Sequence, residues 1–310
     1  MAWKVPRTGA ATILHMPKRE LITLLLPMLA SAAGPSVEIR DSEVWLNRAG
    51  QENQLTHDGK AKQEALLSPA ADRIAYDEQC PEAEHCTPSI VILDLDGHRL
   101  QSFQPKLGSV SPDSPCASIL SFSWVSDTAI ASECHINPSL SEYVVTEIST
   151  GRTRLDLLGY DFTPSPDGKL VAHVGWIVHF APPYAQSNYL QIGDTTIYPP
   201  ANGATDMAPQ SNGTYTGIHD FLPGFHWSPD SRHIAFIDCT YDWTPNSPES
   251  LSAGDGRESN RACALAVIAT DGKASLFPIA DVSQNDLREA RLGWAGPHKI
   301  VFNTLQYRVH

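Results

Sequence analysis

The chain has 310 residues, 42% apolar and 18% charged, enough to bury a large core and too apolar for a disordered tail. Its 35 acidic and 22 basic residues give a formal charge of −13, which argues against a protein that grips nucleic acid by neutralising phosphates. The 24 Pro and 20 Gly make turns frequent along the whole length.

At the start, Lys4, Arg7, Lys18 and Arg19 precede the apolar run 21–30, and Ala30-Ser31-Ala32 follows as a small-x-small cleavage pattern. This reads as a signal peptide over residues 1–33. The run contains Pro27 and is too short to span a bilayer well, so no transmembrane segment is expected in the mature chain. Met16-Pro17-Lys18-Arg19 is itself a compact beginning, which would make 1–15 a start-site extension. Removal of 1–33 leaves one domain, 34–310, with 18 basic and 34 acidic residues and a net charge of −16. A periplasmic or secreted location follows. In such an oxidising compartment an even set of cysteines reads as disulfides: Cys80, Cys86, Cys116, Cys134, Cys239 and Cys263. Zinc is the weaker reading, because no Cys-x-x-Cys occurs.

Segments Glu43-Val-Trp-Leu-Asn47 and Asn53-Gln-Leu-Thr56 are the first predicted strands. Five repeats follow, each an apolar strand, a tight polar turn and a second strand. They run through Ser68, Val125, Ser165, Ser228 and Ala295 at the turn. In Ser165-Pro-Asp-Gly168, Pro presets φ, Asp bonds its own backbone and Gly accepts a positive φ. Second hairpins are predicted in 89–100, 142–155 and 264–276, around Asp96-Gly97, Thr150-Gly151 and Asp271-Gly272. Asp94-x-Asp96-Gly97 has the look of a calcium loop but lacks the downstream Glu, so it reads as a hairpin turn. Two hairpins per repeat make a four-stranded antiparallel sheet with strands a to d. Its radial repetition is a β-propeller. The expected fold is therefore all-β, with five blades: 57–104, 117–156, 160–198, 220–278, and 289–310 joined with 37–56. In that joint blade the N-terminal strands serve as c and d and close the ring. A sixth blade would have to lie in 199–222.

Trp227-Ser-Pro-Asp-Ser-Arg-His-Ile-Ala-Phe236 and Ser165-Pro-Asp-Gly-Lys-Leu-Val-Ala172 resemble the TolB-type, WD-repeat-like propeller repeat. Val44-Trp-Leu-Asn-Arg-Ala-Gly50 followed by Gln54-Leu-Thr56 resembles that family's c–d hairpin. The resemblance extends over 37–310 and implies the propeller without TolB's N-terminal α/β domain. It also implies six blades, one more than the repeats give. The Gly-x-Ser-x-Gly elbow of the related prolyl-oligopeptidase hydrolases is not in the sequence.

Within such blades the a–b and c–d turns share one end and the b–c and d–a connections the other. The second set is long: 78–88, 104–118, 133–141, 176–188, 199–223 and 239–262. Long connections in a compact domain are where function concentrates, so this end is the expected binding face. The cysteines sit at the same strand ends, which favours pairings 80–86, 116–134 and 239–263 out of fifteen possible. Trp176, His179, Tyr184, Tyr215, His219, Tyr241 and Trp243 are candidate binding residues there, offering flat, rigid contact area, with loop packing as the competing reading. Trp124, Trp227 and Trp294, at the repeat position, belong between blades. Glu64, Asp161, Asp220 and Glu289 recur near the start of strand a, at the mouth of the channel. The expected function is a binding scaffold for a cell-envelope or extracellular protein, a peptide or a glycan, as a monomer, with no metal and no cofactor. The alternative is a carbohydrate-active hydrolase or lyase working with the channel-mouth carboxylates.

Overall fold

The computed structural model describes residues 34–79, 88–107, 119–136, 140–175, 187–199, 213–222, 224–247, 255–279, 287 and 290–308. Among these described residues, twenty-two β-strands form five antiparallel sheets. The first contains β1 (Ser36–Arg40), β2 (Glu43–Arg48) and β3 (Gln51–Gln54). The second contains β4 (Ala65–Leu67), β5 (Arg73–Glu78), β6 (Ser89–Asp94) and β7 (Arg99–Phe103). The third runs from β8 (Ser121–Ser126), β9 (Ala129–Ile136), β10 (Leu140–Glu147) and β11 (Arg152–Pro164) to β12 (Val171–Gly175), β13 (Leu190–Ile192) and β14 (Thr195–Tyr198). The fourth contains β15 (Tyr215–Phe221), β16 (His226–Trp227), β17 (His233–Pro245), β18 (Gly256–Ala269) and β19 (Ala274–Ile279). The last contains β20 (Leu292–Gly296), β21 (Lys299–Phe302) and β22 (Leu305–Arg308).

The third sheet is two four-stranded meanders sharing β11, whose first part pairs with β10 and whose last part pairs with β12. The change of partner falls at a register shift between Tyr160 and Thr163, with Asp161 at φ 56°. Gly159 makes the crossing possible, since a Cβ there would lie 2.3 Å from the Val174 carbonyl oxygen. Counted by meander, the described strands make six units in chain order.

Strand period sets how these units meet. Ile74 and Tyr76 of β5 pack with Val44 and Leu46 of the first sheet, while Ala75 between them packs toward Phe122 and Ile130. Further along, Ala131 and Val145 pack with Val171; Ala172 and Val174 with Ile234 and Phe236; and Ala235 and Ile237 with Ile300 and Phe302. Each unit after the first thus buries an apolar face on the unit before it. The repeat tryptophans mark the same contacts. Trp124 Nε1 donates to the Leu66 carbonyl at 3.2 Å, Trp227 Nε1 to Thr163 at 2.9 Å and Trp294 Nε1 to His226 at 2.8 Å. Each acceptor lies two residues before the turn serine, or its position, in the preceding unit. That is the between-blade placement expected for all three tryptophans.

The Ser-Pro turns repeat in detail. Ser68, Ser165 and Ser228 are buried, and each hydroxyl accepts backbone N–H groups from the return strand, from Arg73, Leu170 and His233. Each also donates to a carboxylate, of Asp72, Asp167 and Asp230. These bonds hold Asp167 down at about 2, with the Ser165 hydroxyl the largest influence.

Among the described residues no strand pairing joins 289–310 with 37–56 into one blade. β1, absent from the sequence reading, pairs along β2, and β22 pairs along β21, so the N- and C-terminal strands make separate three-stranded sheets. Asp41 and Ser42, at φ 54° and 63°, make the two-residue turn that twists with its strands, and so local a hairpin costs little loop entropy. Two expected loops are corrected as well. Much of 239–262 is strand, and 199–223 contains β15. Among the described residues no helix is long and apolar enough to cross a membrane.

Candidate functional site in the β15–β17–β18 extension

β17 and β18 are more than twice the length of their counterparts in the last sheet. They stay paired from His233 and Ala269 at the turn end to Pro245 and Gly256. β15 pairs the outer half of β17, from Tyr215 opposite Trp243 to Phe221 opposite Asp238, and β16 pairs the inner half. The result is a three-stranded extension at the end opposite the Ser-Pro turn. Cys239 and Cys263 face each other across β17 and β18 and are disulfide-bonded, with Cα atoms 4.0 Å apart. This is the expected pairing, but it lies within the paired strands and not at the base of a loop. Cys134 is also disulfide-bonded; Cys80, Cys86 and Cys116 lie outside the described residues. The Cys239–Cys263 bridge closes a span of 24 residues, worth about 3 kcal/mol in chain entropy. Changing both cysteines to Ala is expected to lower unfolding free energy by about 2–4 kcal/mol in urea denaturation.

The extension has a small core of its own. Tyr215, Ile218 and Trp243 are buried together, with Tyr215 and Trp243 ring centroids 6.1 Å apart. Gly256 lets the strands close on Trp243, since a Cβ there would lie 2.4 Å from the indole. Tyr215 and Trp243 therefore stiffen the extension more than they face outward. Tyr241 is partly exposed and lies under the Arg261 guanidinium, 4.8 Å from its ring centroid. Arg261 donates from two nitrogens to Asp220 Oδ2, at 3.1 and 3.2 Å, and pairs with Glu258 at 3.0 Å. Burial, then the charges of Asp220 and Glu258, push Tyr241 up to about 12, so it stays a neutral hydroxyl.

His219 joins a second network. Its Nδ1 lies 2.8 Å from Asp238 Oδ2, and the Tyr198 hydroxyl donates to that same oxygen at 2.7 Å. Asp238 is 4% exposed, and its Oδ1 is buried without a hydrogen-bond partner. The backbone beside it is tied to the neighbouring unit. Asn188 N donates to the His219 carbonyl, Ser187 Oγ accepts from His219 N, and Asn188 Oδ1 accepts from Phe221 N. Asn188 also bonds the Tyr160 hydroxyl. Burial raises Tyr160 first, and the charges of Asp161 and Asp220 raise it further.

Among the described residues the channel-mouth carboxylates have separate surroundings. Asp220 is neutralised by Arg261. Glu64 accepts from Phe122 N at 3.4 Å, at the junction of the second and third sheets. Asp161 belongs to an exposed residue whose carboxyl is nonetheless desolvated by surrounding chain; that desolvation, with the nearby charge of Glu133, raises it. Trp176, His179, Tyr184 and Glu289 lie outside the described residues. Asp94, Asp96 and His98 bring ligand-type atoms within 4.8 Å of one another, but Asp94 is occupied by the N–H groups of Asp96 and His98 and by the His98 ring. That is hairpin chemistry. Arg261, Asn188 and Asp238 were not among the sequence candidates. Asp238 alone left a signal, as an acid inside the apolar run 234–239.

No family model matches the chain, and no curated protein matches it. Solved structures are similar at low level. TolB from Acinetobacter baumannii is 15% identical, with 81% of this chain covered and a TM-score of 0.33; the chain spans 65% of that protein. The β-propeller domain of the Trilobed protease from Pyrococcus furiosus is 8% identical, with 88% of this chain and 86% of that chain covered, TM-score 0.35. Kuenenia stuttgartiensis hydrazine synthase is 12% identical, with 77% and 78% covered, TM-score 0.37. At these identities no residue role transfers.

Proposed function

We propose that this chain is an exported β-propeller serving as a binding scaffold, its partner contacted at the end from which the b–c connections emerge. The partner class is a cell-envelope or extracellular protein, a peptide or a glycan. The observation that carries the reading is the β15–β17–β18 extension: a disulfide-clamped ribbon with its own core, set opposite turns only a few residues long. Rigid aromatic and hydrogen-bonding groups give contact area at small entropy cost. The cystines fit an oxidising compartment. Acid–base chemistry is the weaker reading, because Asp220 is ion-paired and Glu64 stands at another junction.

The test is site-specific photocrosslinking in the native host. A photoreactive phenylalanine analogue is placed at position 241 in one strain and at position 297, in an opposite-end turn, in another. A discrete adduct from 241 and none from 297 is expected. Equal adducts from both positions, or none from 241, would overturn the placement.

A further inference from the structure

A cavity of about 370 Å³ opens in the fourth sheet at the end that carries the Ser228 and Gly272 turns, away from the β15–β17–β18 extension. Its size is within the range of small-molecule sites. Strand pairing sets its walls. His233 lies opposite Ala269, and Val267 opposite both Ala235 and Ser275. Ala235 and Val267 pack with Ile300 and Phe302, so this face of the sheet is turned to the last sheet. The His233 ring is 6.2 Å from that of Trp294. Val267 and Ala269 give the cavity an apolar wall, and Arg232, Thr270, Lys273 and Ser275 give it a polar one.

The polar wall is rich in donors that have nothing to bond. His233 Nδ1 is buried without a hydrogen-bond partner, which costs free energy unless something fills the place beside it. Among the described residues neither the Thr270 nor the Ser275 hydroxyl is hydrogen-bonded, and no acid pairs with the Arg232 guanidinium, although the chain carries a net charge of −13. The acids nearby are already taken. Asp230 accepts from the Ser228 hydroxyl and the Arg232 backbone N–H. Asp271, the carboxylate in the cavity wall, accepts from the Lys273 ammonium at 2.7 Å and the Lys273 N–H at 3.2 Å.

We propose that this cavity binds a small organic anion, a carboxylate or phosphate on an apolar body. Arg232 and Lys273 hold the anionic oxygens, His233 and the Thr270 and Ser275 hydroxyls complete the hydrogen bonds, and the apolar body lies on Val267 and Ala269. A guanidinium fork matches carboxylate and phosphate alike. The site is at the turn end, so it stands or falls independently of where a partner meets the extension.

Titration of the full chain with benzoate, phenyl phosphate, inorganic phosphate and benzyl alcohol, followed by amide NMR, tests it. Saturable shifts of the Thr270, Gly272 and Lys273 amides are expected with benzoate and phenyl phosphate, and the tighter of the two identifies the head group. Arg232→Gln and Lys273→Gln should each weaken that binding about tenfold or more. Both side chains are exposed, so neither change threatens the fold. Lys169→Gln removes an exposed ammonium in the third sheet and should leave the affinity unchanged. No saturable shift up to about 10 mM of either organic anion would overturn the proposal. So would unchanged affinity in Arg232→Gln, or binding of benzyl alcohol or inorganic phosphate as tight as that of the organic anions.

Discussion

Phe236→Ala is expected to cost about 3–5 kcal/mol of unfolding free energy, a complete large-to-small deletion in a packed core. Phe236 has no exposed surface. Its ring lies 4.6 Å from Phe221, 5.2 Å from Phe225 and 5.9 Å from Tyr198, so it holds β14, β15 and the start of β16 around β17. These rings come from both sides of the junction between the third and fourth sheets, and no neighbour can slide in without leaving its own contacts. The cavity would therefore persist, and its cost adds to the lost transfer energy. Tyr198 also carries the hydroxyl that bonds Asp238, so the variant should loosen His219 and Asp238 as well. Urea denaturation is the measurement. Leu276→Ala, half exposed on β19, is the control and should change stability by under about 0.5 kcal/mol. A loss below about 1 kcal/mol for Phe236→Ala would contradict the packing described.

Lys62→Met is expected to cost a similar amount, about 3–5 kcal/mol, for an electrostatic reason. The Lys62 side chain is wholly buried, yet all its donors are used. It gives hydrogen bonds to Asp58 at 2.5 Å, the Ser42 carbonyl at 2.9 Å and the Lys60 carbonyl at 3.0 Å. Glu43 lies at 3.7 Å, and the ammonium sits 5.6 Å from the Tyr76 ring centroid. Met keeps the stem's volume and removes the charge, leaving Asp58 and Glu43 without it. Burial alone would push Glu43 up. The Thr56 hydroxyl, the Gly59 N–H and the Lys62 charge outweigh it and hold Glu43 below its ordinary 4.5. A carboxylate depressed on folding stabilises the folded state above 4.5, and that stability is lost as pH falls through the lower folded value. The unaltered protein should thus lose part of its stability as pH falls below 4.5, and Lys62→Met, with Glu43 less depressed, should lose less over the same range. Lys60→Met, which removes an exposed ammonium paired with Glu78, should cost under about 1 kcal/mol.

The repeat was legible because its chemistry is local. Ser68, Ser165 and Ser228 each build their own turn, and the alternating residues around Ile74 and Ile234 assign their own faces. What escaped depends on distant partners. β1 reads weakly, with only Val37 and Ile39 apolar, and becomes a strand by burying them on the second sheet. β15 contains Gly217 and lacks a Ser-Pro-Asp turn, so it gains its order from pairing with the outer half of β17. The stretch 240–245 is polar enough to read as loop, and only Trp243 against Tyr215 explains why it continues the sheet. For the candidate site, Tyr241, His219 and Asp220 were visible as residue types. Their partners Arg261 and Asp238 come from other strands, and no local pattern marks them.

The cross-strand cystine also alters what a protease can achieve. Cleavage anywhere between Pro245 and Gly256 would leave Cys239 and Cys263 bonded on either side of the cut. The two fragments would stay joined, and fraying from the cut ends would stop at the sulfur bridge before reaching Phe236 and Ile237. A clipped molecule would run as one species without reductant and two with it, its blades still assembled. A cut at that end of the ribbon would therefore leave the packed units intact.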